Sequence, residues 1–156
     1  MRFLKILFIC LVSAIFLSSC SSPKLKALEE YKSNMSAFFD AVQAYNDSIN
    51  SVDMNDTAYK AALLQNLDGL KAEFDKLKTY TIPEEFASIN SITNDAADSM
   101  AAAVNLYHKA YDGEFDQSAA DEAFAYYTRA NKELKIILQV LHGEDPSAVE
   151  GATLKE

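Results

Sequence analysis

The residues that could do chemistry in this chain are few, and their spacing mostly excludes reactions. The two histidines are His108 and His142. A di-iron centre in a helical bundle needs Glu-x-x-His pairs, which place a carboxylate and an imidazole one turn apart on a shared metal. Neither histidine follows a glutamate by three. Covalent haem attachment would need Cys-x-x-Cys-His, a zinc hydrolase His-Glu-x-x-His and a serine hydrolase a Gly-x-Ser-x-Gly elbow. None occurs, and neither does an Asp-x-Asp-x-Asp-Gly calcium loop. Asp95 and Asp98 share a helical face, but at that spacing two carboxylates are ordinarily solvated rather than an acid–base pair. His108 falls off the apolar seam of its helix and reads as a surface residue. His142 falls in a last helical turn, where a cation complements the dipole. No cofactor and no metal are expected, and the chain reads as a non-enzyme.

Two constellations could bind rather than react. Tyr107, Tyr111, Tyr126 and Tyr127 fall in facing parts of two helices and could line an aromatic groove for a peptide, glycan or lipid. The plainer reading is that they cap the core with their hydroxyls reaching water. Asp53, Asp56, Asp112, Glu114 and Asp116, with Asp121 and Glu122, would gather at one pole of a bundle as an acidic candidate surface for a basic partner. The plainer reading there is a solvated end.

Helices must position these residues. No Gly or Pro interrupts Lys24 to Asp68. Leu28, Tyr31, Met35, Phe38, Val42, Tyr45, Ile49 and Val52 step alternately by three and four, an unbroken heptad seam that strand alternation does not fit. A first helix is expected from about Lys24 to Val52. A second, from about Thr57 to Thr79, carries Leu63, Leu67, Leu70, Phe74 and Leu77. Gly69 inside it costs about 1 kcal/mol relative to Ala, which reads as local tolerance more readily than as close packing. Ile82-Pro83-Glu84-Glu85 opens a third helix, since Pro suits the first position and Glu complements the positive dipole end. It closes at Asp112-Gly113, with Gly113 free to take a left-handed cap. A fourth runs from about Asp116 to His142, with Ser118 and Asp121 as a possible capping box, and Gly143 stops it.

Four amphipathic segments with short connections imply an all-α, antiparallel up-down-up-down four-helix bundle over residues 24–143. The alternative is a three-helix core with one helix splayed or used in a dimer. Ala96, Ala103, Ala110, Ala123 and Ala130 recur at one heptad position, so the third and fourth helices should be the tightest pair. Residues 144–156 read as a mobile tail.

The start of the chain is different in kind. Arg2 and Lys5 precede an apolar run from Ile6 to Leu17, too short for a comfortable span of about 20 residues but suited to a signal peptide. The run ends in Leu17-Ser18-Ser19-Cys20, which resembles the lipobox of bacterial lipoproteins. The resemblance covers roughly the first 20 residues. It implies removal of residues 1–19 and a diacylglycerol on the thiol of Cys20, with residues 20–23 as a short tether. It also implies a membrane-anchored protein facing the extracytoplasmic side of the cell envelope. Two or three acyl chains would hold it stably, since each buried CH₂ contributes about 0.8 kcal/mol. Ser21, not Asp, follows the Cys; by resemblance to enterobacterial sorting rules this favours an outer membrane where the host has one.

Only Cys10 and Cys20 occur, so after such a cleavage the helical part has no thiol for a disulfide. All 23 acidic residues but only twelve of the 14 basic ones follow the lipobox, for a mature charge near −11. That excludes nucleic acid as a partner, which needs clustered Lys and Arg. The expected function is a lipid-anchored, non-enzymatic binding or scaffold protein, with an envelope protein as possible partner. The alternatives are a small-molecule or lipid-binding module with a pocket near Tyr107 and Tyr127, and third an enzyme of unrecognised type.

Overall fold

The computed structural model describes residues 22–144. Cys20, the signal-like segment and the tail from residue 145 lie outside them. The described chain is all-α. Four helices, α1 (Pro23–Asn50), α2 (Tyr59–Leu77), α3 (Asn90–Tyr111) and α4 (Gln117–Leu141), form a bundle, and a 3₁₀ segment, Glu84–Ile89, precedes α3.

Local signals set most boundaries. Ser22 caps α1, its hydroxyl oxygen accepting from the Leu25 N–H at 3.2 Å, and Pro23 takes the first position, where no N–H is required. The side chain of Asp116 caps α4 by accepting from the Ala119 N–H at 3.0 Å. The capping box expected from Ser118 and Asp121 does not form, because Asp121 accepts from the Gln117 amide instead, at 2.8 Å. Gly143 ends α4 with φ of 91°, as its N–H reaches the Val140 carbonyl and that of Glu144 the Gln139 carbonyl, at 2.9 and 3.0 Å. That is a Schellman cap. Gly113 does not adopt the left-handed conformation expected of it. The end of α3 is closed instead by the Asp116 N–H reaching back to the Ala110 carbonyl at 3.1 Å.

The third helix also begins later than its proline suggests. Pro83 is extended, and Phe86 departs from helical geometry with φ of −115° and ψ of 17°. Tertiary packing overrides local propensity here. Phe86 is buried against Tyr31 of α1, with ring centroids 5.7 Å apart, and a continuous α-helix would not deliver it there.

Cross-helix pairs define the packing. Phe38 meets Phe74 and Tyr45 meets Gly69, between α1 and α2. Lys78 pairs with Asp98, and Asp68 with His108, between α2 and α3. Ser99 donates to Glu133 across α3 and α4 at 3.0 Å. At the first two interfaces, residue numbers rise on one helix as they fall on the next, the sense that short connections favour. Helices α3 and α4 approach each other most extensively, and Ala96, Ala103, Ala110, Ala123 and Ala130 are all fully buried. Small side chains there remove the bulk that would hold two backbones apart. By contrast, α1 packs on α2 but stands off α4. Phe38, Met35, Leu67, Leu70, Phe74, Met100 and Ile137 form the centre of the core.

Candidate functional site

The standoff between α1 and α4 leaves a groove of about 630 Å³. Met35, Phe39 and Val42 of α1 and Leu134, Leu138 and Leu141 of α4 form its apolar lining. Lys32 and His142 stand at the end nearest the start of α1, with Ser36, Asp40 and Gln43 further along that helix. The opposite end is closed by a polar clasp. The Tyr127 hydroxyl donates to the Asn46 side-chain oxygen at 2.6 Å, and the Asn131 amide donates to the Tyr127 carbonyl at 2.9 Å. A groove of this size, apolar inside with a few polar groups around it, has the character of a small-molecule site.

The helix pattern explains how such a groove arises. Heptad seams put Met35, Phe38 and Val42 inward on α1, and Leu134 and Ile137 inward on α4. Phe39 and Leu138 lie one residue beyond the seam on each helix, and these off-seam apolar residues widen the two faces toward each other. That is the sequence signal which could have located the groove; the four tyrosines did not. None of Tyr107, Tyr111, Tyr126 and Tyr127 is among its lining side chains, although Tyr127 bonds to Asn46 and Asn131 at its end.

The structure brings two of those tyrosines into one aromatic cluster with Phe115, and Tyr127 lies near it. Tyr107 stacks on Tyr111 with centroids 6.4 Å apart, and Tyr111 packs on Phe115 at 5.2 Å. Burial, and secondarily the nearby Tyr127 and Tyr111, push the Tyr107 hydroxyl up to about 12. Burial also raises that of Tyr127, against the lowering effect of a hydrogen bond from Asn131. Tyr126 lies away from this cluster, close to Arg129. Tyr107, Tyr111 and Tyr127 each pack against the core, as capping tyrosines do.

At the acidic pole, Lys60 donates to the Gly113 carbonyl at 3.4 Å and so brings the start of α2 beside the α3–α4 loop. Asp53, Asp56, Asp112 and Glu114 are exposed, and Asp116 is partly so. Most have local tasks. Asp53 accepts from the Asn55 N–H at 2.9 Å and Asp56 from the Ala58 N–H at 2.8 Å. Asp116 caps α4, and Asp112 lies 3.0 Å from His108 Nδ1. His108 is no simple surface residue. Its Nε2 lies 2.9 Å from Asp68 of α2, and the two carboxylates, Asp68 foremost, raise its pKa above the usual 6.5 despite partial burial. Among the described residues no acidic, His or Cys cluster is arranged to hold a metal ion. Asp98, which shares a helical face with Asp95, is paired with Lys78 of the α2 end.

At the opposite pole Lys24 lies 3.5 Å from Glu84 and 3.3 Å from Glu85, tying the start of α1 to the 3₁₀ segment. Among the described residues no helix is long and apolar enough to cross a membrane. No family model, no curated protein and no solved structure matches the chain.

Proposed function

We propose that this chain is a non-enzymatic, lipid-anchored binding protein of the cell envelope, whose working surface is the groove between α1 and α4. The groove itself carries the reading. At about 630 Å³ it lies well inside the range of roughly 300–1,000 Å³ typical of small-molecule sites. A bundle selected only for stability would gain by closing it, because unfilled space forfeits packing contacts.

The lipobox-like Leu17-Ser18-Ser19-Cys20 supports the anchor. Helix α1 starts at Pro23, so only Ser21 and Ser22 separate Cys20 from it. A tether that short would hold the base of the bundle within about 11 Å of the lipid. Two measurements test the proposal. Cys20→Ser should move the protein out of the membrane fraction, and retention there would remove the anchor. A long-chain photoreactive probe added to membranes that hold the full chain should label the groove saturably, and Leu138→Trp should block that labelling. Labelling scattered over the surface would remove the groove.

A second reading keeps the acidic pole as a docking surface for a basic envelope protein. It is favoured by Met54 and Phe115, 62% and 46% exposed among the carboxylates of that pole. Crosslinked partners that survive charge reversal of Asp53, Asp112 and Asp116 together would eliminate it.

A further inference from the structure

Resting on the reading of the groove as a binding site, we infer that its ligand is a long-chain fatty carboxylate. The chain would lie along α1 and α4, with its head at Lys32 and His142. Shape is the first argument. From Lys32 to Asn46 the groove follows about 21 Å of helix, and from Asn131 to His142 about 16 Å. The groove is therefore elongated, about 630 Å³ of space running along both helices, a shape that suits a chain-like ligand.

Chemistry points the same way. Met35, Phe39, Val42, Leu134, Leu138 and Leu141 form an apolar stripe, with Ser36, Asp40 and Gln43 also lining the groove. A polymethylene chain needs no hydrogen bonds and matches that stripe.

Charge then orients the chain. Lys32 supplies a cation at one end, with the His142 ring beside it as a hydrogen-bonding group, and among the described residues neither belongs to an ion pair. Lys32 only overhangs the Phe86 ring, at 6.0 Å. The far end carries Asn46, whose side-chain oxygen accepts from the Tyr127 hydroxyl, and Asn131, whose amide donates to the Tyr127 carbonyl, and neither brings a positive charge. Asp40 stands about 12 Å along α1 from Lys32 and repels an anionic head from the middle of the groove. The head therefore sits at the base, about 14 Å along α1 from Pro23, on the side where the tether from Cys20 begins.

The test uses membranes holding the full chain and two photoreactive probes of equal length, a sixteen-carbon acid and the matching alcohol, with crosslinks mapped by mass spectrometry. The acid should label groove residues of α1 and α4 saturably and at least tenfold more efficiently than the alcohol. Lys32→Ala with His142→Ala should abolish that preference while leaving the thermal melt unchanged. Shortening the competing acid by four methylenes should weaken competition at least tenfold, since each buried methylene contributes up to about fourfold.

Equal labelling by acid and alcohol would overturn the carboxylate inference and leave the groove as an apolar binding site. No saturable labelling by either probe would overturn both. Labelling that arises only in Cys20→Ser would also overturn the inference, because the groove would then belong to the protein's own anchor. If the double variant melts early, the alcohol-to-acid ratio in Lys32→Gln alone decides, and an unchanged ratio counts against the inference.

Discussion

The ring of Tyr45 on α1 lies against Gly69 on α2, in the space that the β-carbon of any other residue would fill. The glycine is therefore a packing site rather than a tolerated defect in its helix. Alanine would gain about 1 kcal/mol of helix propensity but would displace the ring. Overpacking of this kind costs about 1–3 kcal/mol. Gly69→Ala should therefore lower stability in the native background and raise it beside Tyr45→Ala. A double-mutant cycle read by urea denaturation should give a coupling of at least about 1 kcal/mol, and additive effects would show that the ring moves aside freely.

Tyr127 and Asn46 join α4 to α1 across the end of the groove. Tyr127→Phe keeps the ring and removes the donor, leaving the amide oxygen of the partly buried Asn46 without it. The cost should be about 0.5–1.5 kcal/mol. Asn46→Ala should cost a similar amount, and the two changes together little more than either alone. Simple addition of the two would mean that the hydrogen bond contributes nothing.

Tyr31 is 2% exposed, its hydroxyl has no hydrogen-bond partner among the described residues, and burial pushes its pKa up to about 12. An unsatisfied buried hydroxyl costs about 1–3 kcal/mol. Tyr31→Phe should be neutral or stabilising, raising the melting temperature by as much as about 4 °C for each kcal/mol regained. A clear loss of stability would reveal that the hydroxyl has a partner after all.

His108 links stability to pH through Asp68 and Asp112. Its pKa is raised in the folded state, so the stabilisation is fully present below 6.5 and is lost as pH rises through the folded value. Half-exposed ion pairs of this kind contribute at most about 1 kcal/mol. Wild type should therefore exceed His108→Gln in melting temperature at about pH 5.5, and the margin should vanish by about pH 9. A margin independent of pH would assign the effect to packing.

Ala130 faces α3 with no exposed surface. Ala130→Leu would force the closest helix pair apart and should cost about 1–3 kcal/mol by thermal or urea unfolding. The same change at exposed Ala125, five residues back on the same helix, should cost little.

How much was legible in advance depends on how local each cause is. Heptad spacing alone located the core residues Tyr31, Met35, Phe38, Val42, Leu67, Leu70, Phe74 and Ile137, because burial of one helix face imposes its period on the sequence. The alanine stripe foretold the close approach of α3 and α4 by the same logic. Gly143 announced its cap, since capping is settled within four residues, whereas the N-terminal cap of α4 fell to Asp116 rather than to Ser118. The turn at Phe86, the seat of Tyr45 on Gly69 and the bridge from Asp68 to His108 each join residues distant in the chain, and no local pattern encodes them. The groove belongs with these. Its lining is written in Phe39 and Leu138, but whether two widened faces close together or stand apart depends on how the 3₁₀ segment and α2 seat α1 against the rest. Helix periodicity says which way a side chain faces; only the completed packing decides whether anything is there to meet it.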